Sequence, residues 1–148
     1  MKFLGTGSAL PKKVVSNDDL AQVMDTSDEW IRSRTGIGMR HIAVEETTTS
    51  MAVEAAEKAL ADAKISGCEI DLIIAGTISP DYIFPSLACE VQAAIGAKSA
   101  TAFDLSAGCS GFLFALANSK VCSALLEILS AALNALPGRS RDRVTPKS

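Results

Sequence analysis

The chain has 148 residues, of which 48% are hydrophobic and 21% are charged. This composition fits one globular domain with a hydrophobic core, and it excludes a chain that is disordered throughout. The formal net charge of -3 argues against a nucleic-acid-binding protein, because displacing counterions from phosphates requires a concentrated positive surface. We therefore expect small molecules or proteins as partners.

The beginning of the chain shows no export signal. Gly5, Thr6 and Gly7 interrupt the apolar residues before a run of signal-peptide length can form. The four cysteines do not have the paired spacing of metal ligands. We therefore expect a cytoplasmic location, reduced thiols and no metal site.

The first elements of the chain are short. Residues 2–10 predict a strand that ends in a glycine-rich turn, which Pro11 closes. Ser16 and Asn17 are typical of the cap of a short helix. A second strand is expected over residues 39–44.

A better-defined helix follows the short one. Thr26 and Glu29 have the three-residue spacing of a capping box, in which a hydroxyl and a carboxylate each accept from the other's backbone N–H. The helix that begins there contains Trp30 and Arg34, and Gly36 is expected to end it.

The middle of the chain alternates helices and strands. The Thr/Ser run 47–50 predicts the cap of a helix with small apolar residues on one face: Ala52, Ala55, Ala56, Ala59, Leu60 and Ala63. Residues 70–76 form a continuous apolar run, which is typical of a strand buried on both faces. A helix over 86–95 and a strand over 100–105 complete a βαβ unit. The fold class predicted is α/β, layered, with a mostly parallel sheet and flanking helices.

The last part of the chain differs in character. Residues 121–138 predict an apolar helix with a narrow polar stripe formed by Ser123, Glu127, Ser130 and Asn134. This helix is too short and too interrupted to span a membrane. Residues 139–148 are basic, and we expect them to form a disordered tail.

The most informative segment surrounds Cys109. A thiol placed where a buried strand turns into a helix lies at the open carboxyl edge of the sheet, where ligand sites form in α/β proteins. A helix N-terminus favours thiolate over thiol, and nearby backbone N–H groups can stabilise an oxyanion. Gly108 and Gly111 leave room for a substrate carbonyl. Local geometry alone favours equally the alternative that Cys109 is a buried cysteine that packs as a small hydrophobic residue.

At four segments the sequence resembles β-ketoacyl-acyl-carrier-protein synthase III, a condensing enzyme of the thiolase fold that initiates fatty acid synthesis. The resemblance extends from about Phe3 to Asn118. It depends on four matching segments: residues 5–11, residues 25–37, the Phe84-Pro85-Ser86 triplet, and the segment around Cys109.

This resemblance implies a role for each matching residue. Cys109 would be the nucleophile that accepts an acetyl or other short acyl group from acyl-CoA before condensation with malonyl-acyl carrier protein. Trp30 and Arg34 match the pair that encloses the CoA adenine, and Thr26 matches a nearby CoA contact. Phe84 matches a residue that crosses the interface of a homodimer to line the partner's acyl pocket. Acyl-CoA would be a substrate, and no cofactor is implied.

The residues also have simpler interpretations. An indole and a guanidinium four positions apart on one helix face can both offer planar surfaces to a base. Without the resemblance, however, Trp30 would be interpreted as a core or interface aromatic and Arg34 as a solvated charge. Phe84, between Pro80 and Pro85, would anchor a loop. The remaining cysteines would be structural, and His41 would be a surface or hydrogen-bonded core residue.

The chain departs from the family after about Lys120. We expect residues 1–120 to form only the first half of the thiolase-like fold, without the histidine and asparagine of the family's second half. A complete condensation by such a truncated chain is not expected. Two other interpretations remain: another thiolase-fold synthase with the same cysteine, and an inactive fragment that associates through a sheet edge and the 121–136 helix.

Overall fold

A computed structural model describes residues 2–121, with side chains described as far as residue 119. These residues form two compact units. One unit comprises residues 11–44, and the other comprises residues 2–10 together with residues 45–121. The segments predicted as an apolar helix and a basic tail, 121–138 and 139–148, lie outside the described residues apart from residue 121.

The unit of residues 11–44 contains two strands and two helices. In chain order these are β1 (Lys13–Ser16), α1 (Asn17–Ala21), α2 (Asp28–Thr35) and β2 (Met39–Ile42). The two strands pair antiparallel, with Lys13 opposite Ile42 and Ser16 opposite Met39. The predicted strand over 39–44 is thus confirmed as β2, whereas β1 was not predicted.

The helix ends in this unit follow their capping residues. The Ser16 hydroxyl accepts from the Asp19 backbone N–H, and the Asp19 carboxylate accepts from the Ser16 N–H. The second helix ends at Gly36, which has the left-handed φ of 72° that favours glycine. The Thr26–Glu29 capping box is wrong. Ser27 has the extended backbone of an N-cap, and its hydroxyl accepts from the N–H of Trp30, so α2 begins one residue later than predicted.

The unit of residues 2–10 and 45–121 contains the predicted βαβ element. Its helices and strands are α3 (Thr48–Ala63), β3 (Leu72–Gly76), α4 (Leu87–Ala94), β4 (Thr101–Leu105) and α5 (Gly111–Val121). The two strands pair in parallel, with Leu72 opposite Thr101 and Gly76 opposite Leu105. Single 3-10 turns occur at Gly67–Glu69 and Gly108–Ser110. The described residues thus contain one parallel and one antiparallel strand pair.

Both faces of β3 are covered by helices, as its apolar run predicted. On one face, Ile73 and Ala75 pack with the alanine-rich side of α3 and with Leu87, Ala88 and Val91 of α4. On the other face, Leu72 and Ile74 pack with Ala115 of α5. This arrangement is layered, with the sheet between helices, and it positions the loops that follow β3 and β4 at one edge.

The predicted strand over residues 2–10 is wrong. No strand forms before Lys13 in the described part of the chain, because this segment follows the backbone of α3. A Cβ at Gly5 would lie 2.5 Å from both the Ala59 carbonyl oxygen and the Ala63 nitrogen. The Thr6 N–H donates to the Asp62 carboxylate at 2.9 Å, and Lys58 Nζ donates to the Ser8 carbonyl at 3.0 Å. The glycines therefore permit close packing on a helix.

Within residues 2–121, no helix has both the length and the apolar character needed to cross a lipid bilayer. Several large apolar side chains are nevertheless exposed in this part of the chain, including Phe3, Ile83, Phe84 and Leu113.

The close approach of residues 2–10 to α3 gives a stability prediction. A methyl group at Gly7 would lie 2.6 Å from the Ala59 nitrogen and closer still to the Ala55 carbonyl oxygen. We expect Gly7→Ala to reduce the free energy of unfolding by about 1–3 kcal/mol, because backbone atoms of a helix cannot shift without loss of packing. Urea denaturation followed by circular dichroism measures the change.

The matched control is Ser8→Ala, which truncates an exposed neighbouring side chain without adding volume. It should change the unfolding free energy by less than about 0.5 kcal/mol. Equal stability of Gly7→Ala and the wild type would contradict the close packing described above.

Candidate active site

Cys109 lies in the connection between β4 and α5. The strand ends at Leu105, and Cys109 is the central residue of the 3-10 turn Gly108–Ser110. Its side chain is a free thiol in an exposed residue. The alternative of a buried, packing cysteine is therefore wrong. The helix that follows, α5, begins at Gly111, so Cys109 lies just before the helix and not in it.

Glycines on both sides of Cys109 determine the local geometry of this connection. Gly76, the last residue of β3, faces Gly111, the first residue of α5, and a Cβ on Gly111 would lie 3.5 Å from the Gly76 Cα. Gly111 is buried, so its contribution is close packing of α5 on β3 in addition to the predicted open space beside the thiol. Gly108 has a φ of 52°, which permits the sharp change of direction before Cys109.

The backbone N–H groups near the thiol differ in availability. The Ser110 N–H donates to the Ala107 carbonyl at 3.1 Å, and the Gly111 N–H donates to the Gly108 carbonyl. The Cys109 N–H has no acceptor among the described residues. Of these three donors, the Cys109 N–H is thus the one that has no acceptor in the described part of the chain.

Phe84 lies in the loop of residues 77–86, between β3 and α4. Its side chain is 89% exposed and that of the neighbouring Ile83 is 99% exposed. Phe84 therefore does not anchor the loop against the described residues, which was its alternative interpretation. Because parallel strands bring their carboxyl ends to the same edge, this loop and the Cys109 turn follow neighbouring strands at one edge of the sheet.

Two aspartates fix this loop, one from its middle and one from β4 where the loop ends, and sequence analysis missed both. The Asp81 carboxylate accepts from the backbone N–H groups of Thr48 and Thr49 at 3.1 and 2.7 Å, at the start of α3. The Asp104 carboxylate accepts from those of Leu87 and Ala88 at 2.9 and 2.8 Å, at the start of α4. Each carboxylate thus satisfies helix donors that have no partner within the helix.

Asp104 gave a sequence signal that could have been used. A charged residue within an apolar strand requires a polar partner when it is buried or half-buried. Asp81 lies among loop residues and gave no such signal. Its partner helix begins more than thirty residues earlier, and the sequence contains no pattern that connects them.

The pKa of the Asp81 carboxyl responds to opposing influences. Burial acts to raise the pKa, whereas hydrogen bonds from Thr49 and Thr48 act to lower it, and the net pKa lies below the ordinary value. The ionised form is thus the one that the helix start prefers.

Thr26, Trp30 and Arg34 all lie in the unit of residues 11–44. Trp30 is 55% exposed, which excludes a core position within this unit, and Arg34 is also exposed. The Arg34 guanidinium carbon lies 5.0 Å from the centroid of the Trp30 ring, so the two side chains form a cation–π pair on one face of α2. Thr26 is half-buried and precedes the N-cap.

The structure therefore brings Trp30 and Arg34 together, and it places Cys109 and Phe84 in the other unit on neighbouring loops. The roles of these residues remain predictions. Within residues 2–121, no three His, Cys, Asp or Glu side chains are grouped as a metal site would require.

The remaining cysteines and the histidine have other surroundings. Cys68 was expected to be structural but is exposed, with its sulfur 2.9 Å from the Ser66 hydroxyl. Cys89 is half-buried and donates to the Ala102 carbonyl at 3.8 Å, and Cys122 lies outside the described residues. His41 is half-buried and its Nδ1 donates to the Pro11 carbonyl at 2.6 Å, as expected for a hydrogen-bonded residue.

The lowered pKa of Asp81 gives a pH prediction. We expect Asp81→Asn to reduce the free energy of unfolding by about 1 kcal/mol at neutral pH, because one helix N–H loses its acceptor. A carboxyl whose pKa is depressed in the folded state contributes its full stability above the unfolded value, 3.8. The difference between wild type and variant should shrink as the pH falls through the folded-state pKa, below 3.8.

Urea titrations at neutral pH and in steps below pH 4 measure this difference. The control is Asp71→Asn, because Asp71 is exposed and its side chain has no hydrogen bond among the described residues. A wild-type advantage over Asp81→Asn that persists unchanged at the lowest pH would show that the carboxylate does not act through its charge.

The chain is similar in sequence to curated proteins that share one name. No protein-family model matches the chain. A protein of Streptococcus suis named beta-ketoacyl-[acyl-carrier-protein] synthase III is 60% identical over 111 residues, which are 75% of this chain and 34% of that protein. A protein of Xylella fastidiosa with the same name is 56% identical over 116 residues, covering 78% of this chain and 36% of that protein.

Solved structures agree. The 3-oxoacyl-[acyl-carrier-protein] synthase III of Aquifex aeolicus superposes with a TM-score of 0.79 and 54% identity, covering 81% of this chain and 39% of that chain. The priming β-ketosynthase of the R1128 polyketide pathway has a TM-score of 0.77 and 36% identity, covering 90% of this chain and 37% of that chain.

The chain spans about a third of the length of the curated relatives that it matches. The higher identity to the synthase III proteins favours them over the polyketide enzyme. The predicted resemblance is therefore confirmed: over about three quarters of its length, this chain is related to the β-ketoacyl-[acyl-carrier-protein] synthase III family and has its thiolase-like fold.

Proposed function

We propose that this chain performs the acylation step of a β-ketoacyl-acyl-carrier-protein synthase III, in which Cys109 accepts an acetyl or other short acyl group from acyl-CoA. The observation that supports this proposal most strongly is the position of Cys109. Its exposed thiol lies in a tight turn at the carboxyl edge of a parallel strand pair, where α/β proteins bind their ligands.

The proposed step is an exchange of thioesters. The Cys109 thiol releases its proton to solvent, and the thiolate attacks the carbonyl carbon of the acyl-CoA, which forms a carbon–sulfur bond and an oxyanion. In this proposal the N–H of Cys109, which has no acceptor among the described residues, donates to that oxyanion. The intermediate then expels CoA as a thiolate that takes up a proton, so the acyl group remains on Cys109 and no oxidation occurs.

The second part of the proposal concerns CoA recognition. The Trp30 indole and the Arg34 guanidinium offer planar surfaces to the adenine, and the guanidinium can also pair with a phosphate. Both side chains are exposed on α2, so both can be reached by a ligand. Thr26 is proposed as an additional CoA contact. Acyl-CoA is a substrate in this scheme, and no cofactor is required.

Condensation with malonyl-acyl carrier protein is proposed for the whole protein of this family. That step requires donors that stabilise an enolate, which the family provides as a histidine and an asparagine. His41 is not proposed for this role, because it lies in β2 and not in the family's second half, which supplies the histidine. The proposal for the whole protein includes a cytoplasmic location and a homodimer in which Phe84 reaches the partner's acyl pocket.

A second candidate function is association without catalysis. The exposed side chains of Ile83 and Phe84 favour it, since large apolar groups on a surface promote contact with other proteins. Acylation of Cys109 distinguishes the two candidates, because association alone transfers no acyl group.

The test incubates the purified chain with acetyl-CoA and measures the intact mass, followed by peptide mapping. We expect one acetyl group on the Cys109 peptide, since this thiol is both exposed and next to a free amide donor. Cys109→Ala should abolish the adduct.

The matched control is Cys68→Ala, which removes another exposed thiol and should leave acetylation of Cys109 unchanged. Acetylation of Cys68 at the same rate as Cys109 would indicate nonspecific chemistry. A folded chain that remains unmodified would favour association as its function.

A further inference from the structure

The helix that contains Trp30 and Arg34 has an unusual attachment to its unit. None of the eight residues of α2 is buried. Apolar packing therefore contributes little to its orientation, and polar contacts hold it within the unit of residues 11–44. The salt bridge between Arg32 and Asp28 lies within α2 and stabilises the helix itself. The Arg32 guanidinium also lies close to Gly38 beyond the helix, since a Cβ at Gly38 would be 2.5 Å from its Nη2.

Asn17 supplies the attachment from outside the helix. It is 1% exposed, and its Nδ2 donates to the Asp28 carboxylate at 2.7 Å and to the Ile37 carbonyl at 2.8 Å. Its Oδ1 accepts from Arg40 of β2. Asp28 is the first residue of α2 and Ile37 follows its C-cap, so one buried amide contacts both ends of the helix and the adjacent strand.

The hydrogen bonds around Asn17 favour the ionised form of Asp28. The bond from Asn17, followed by that from Arg32, lowers the pKa of the Asp28 carboxyl below its ordinary value. The backbone of Asn17 adds a further bond, because its N–H donates to the Gly38 carbonyl at 3.2 Å. A buried amide with both donors and its acceptor satisfied is costly to remove, since each former partner loses a bond.

We propose that Asn17 is a positioning residue for acyl-CoA binding, which holds α2 in the orientation that presents Trp30 and Arg34 to the nucleotide. This inference rests on the function proposed above. Because the Trp30–Arg34 pair is within one helix, loss of Asn17 leaves the pair intact but frees the helix to change its angle. Affinity for CoA should therefore fall while the chemistry of Cys109 does not change.

The experiment titrates the full chain with CoA and follows the fluorescence of Trp30, which is the only tryptophan. We expect Asn17→Ala and Asp28→Ala to weaken CoA binding by about 5- to 30-fold, the effect of one or two kcal/mol. Asp28→Asn keeps an acceptor for the Asn17 amide and should retain most of the affinity. At saturating acetyl-CoA, the rate of Cys109 acetylation should equal that of the wild type in every variant.

Asp18→Ala is the matched control, because Asp18 is an exposed neighbour whose side chain has no hydrogen bond among the described residues. It should bind CoA as the wild type does. Circular dichroism verifies that each variant folds. If Asn17→Ala does not fold, the CoA affinities of Asp28→Ala and Asp28→Asn are compared instead to test the positioning role.

Two results would overturn the inference in distinguishable ways. If the wild type binds CoA and Asp28→Ala binds it equally well, the positioning role is wrong and the proposed function stands. If the wild type itself does not bind CoA, both the positioning role and the proposed CoA recognition are wrong.

Discussion

Parallel pairing of β3 with β4 is the constraint on which the candidate site depends. The pairing extends from Leu72 opposite Thr101 to Gly76 opposite Leu105, so the two strands end together. Helices cover both faces of β3, and they bury the apolar side chains that make this pairing stable. The chain therefore leaves the sheet twice at one edge, once into the Phe84 loop and once into the Cys109 turn.

The loops at this edge are fixed by specific polar and steric contacts. Asp81 attaches the Phe84 loop to the start of α3, and Asp104 of β4 bonds the start of α4, where that loop ends. The contact of Gly76 with Gly111 positions the start of α5, directly after the turn that contains Cys109. The exposure of Cys109 and Phe84 thus follows from an ordered scaffold. A reactive group benefits from such support, because catalysis requires a defined geometry.

The two units use different forces. The unit with Cys109 has a core of apolar side chains, whereas α2 in the unit of residues 11–44 buries no residue and is held by the Asn17 amide. In the proposed reaction, the apolar unit supplies the chemistry and the polar unit supplies nucleotide recognition. Substitutions in the unit of residues 11–44 are thus expected to change the affinity for CoA. Substitutions in the unit that contains Cys109 are expected to change the rate of the chemical step.

Sequence patterns predicted the parts of the fold that depend on local periodicity. The strand β3 was predicted correctly because burial on both faces leaves a continuous apolar run, and α3 because burial of one face leaves a helical period. Residues 2–10 were wrong because glycines that approach a helix resemble glycines that end a strand. The contacts of Asn17 and Asp81 could not be predicted, since their partners lie eleven or more positions away with no pattern between them.

The proposed function requires this scaffold to present the Cys109 thiol as an acyl acceptor. A crystal structure of the protein after treatment with acetyl-CoA tests it most directly, because the map shows which atom holds the acetyl group. The account predicts electron density for an acetyl group continuous with Sγ of Cys109, with its carbonyl oxygen within hydrogen-bond distance of the Cys109 N–H. An unmodified Sγ on Cys109 would contradict the proposal, whether the acetyl group is found on another residue or on none.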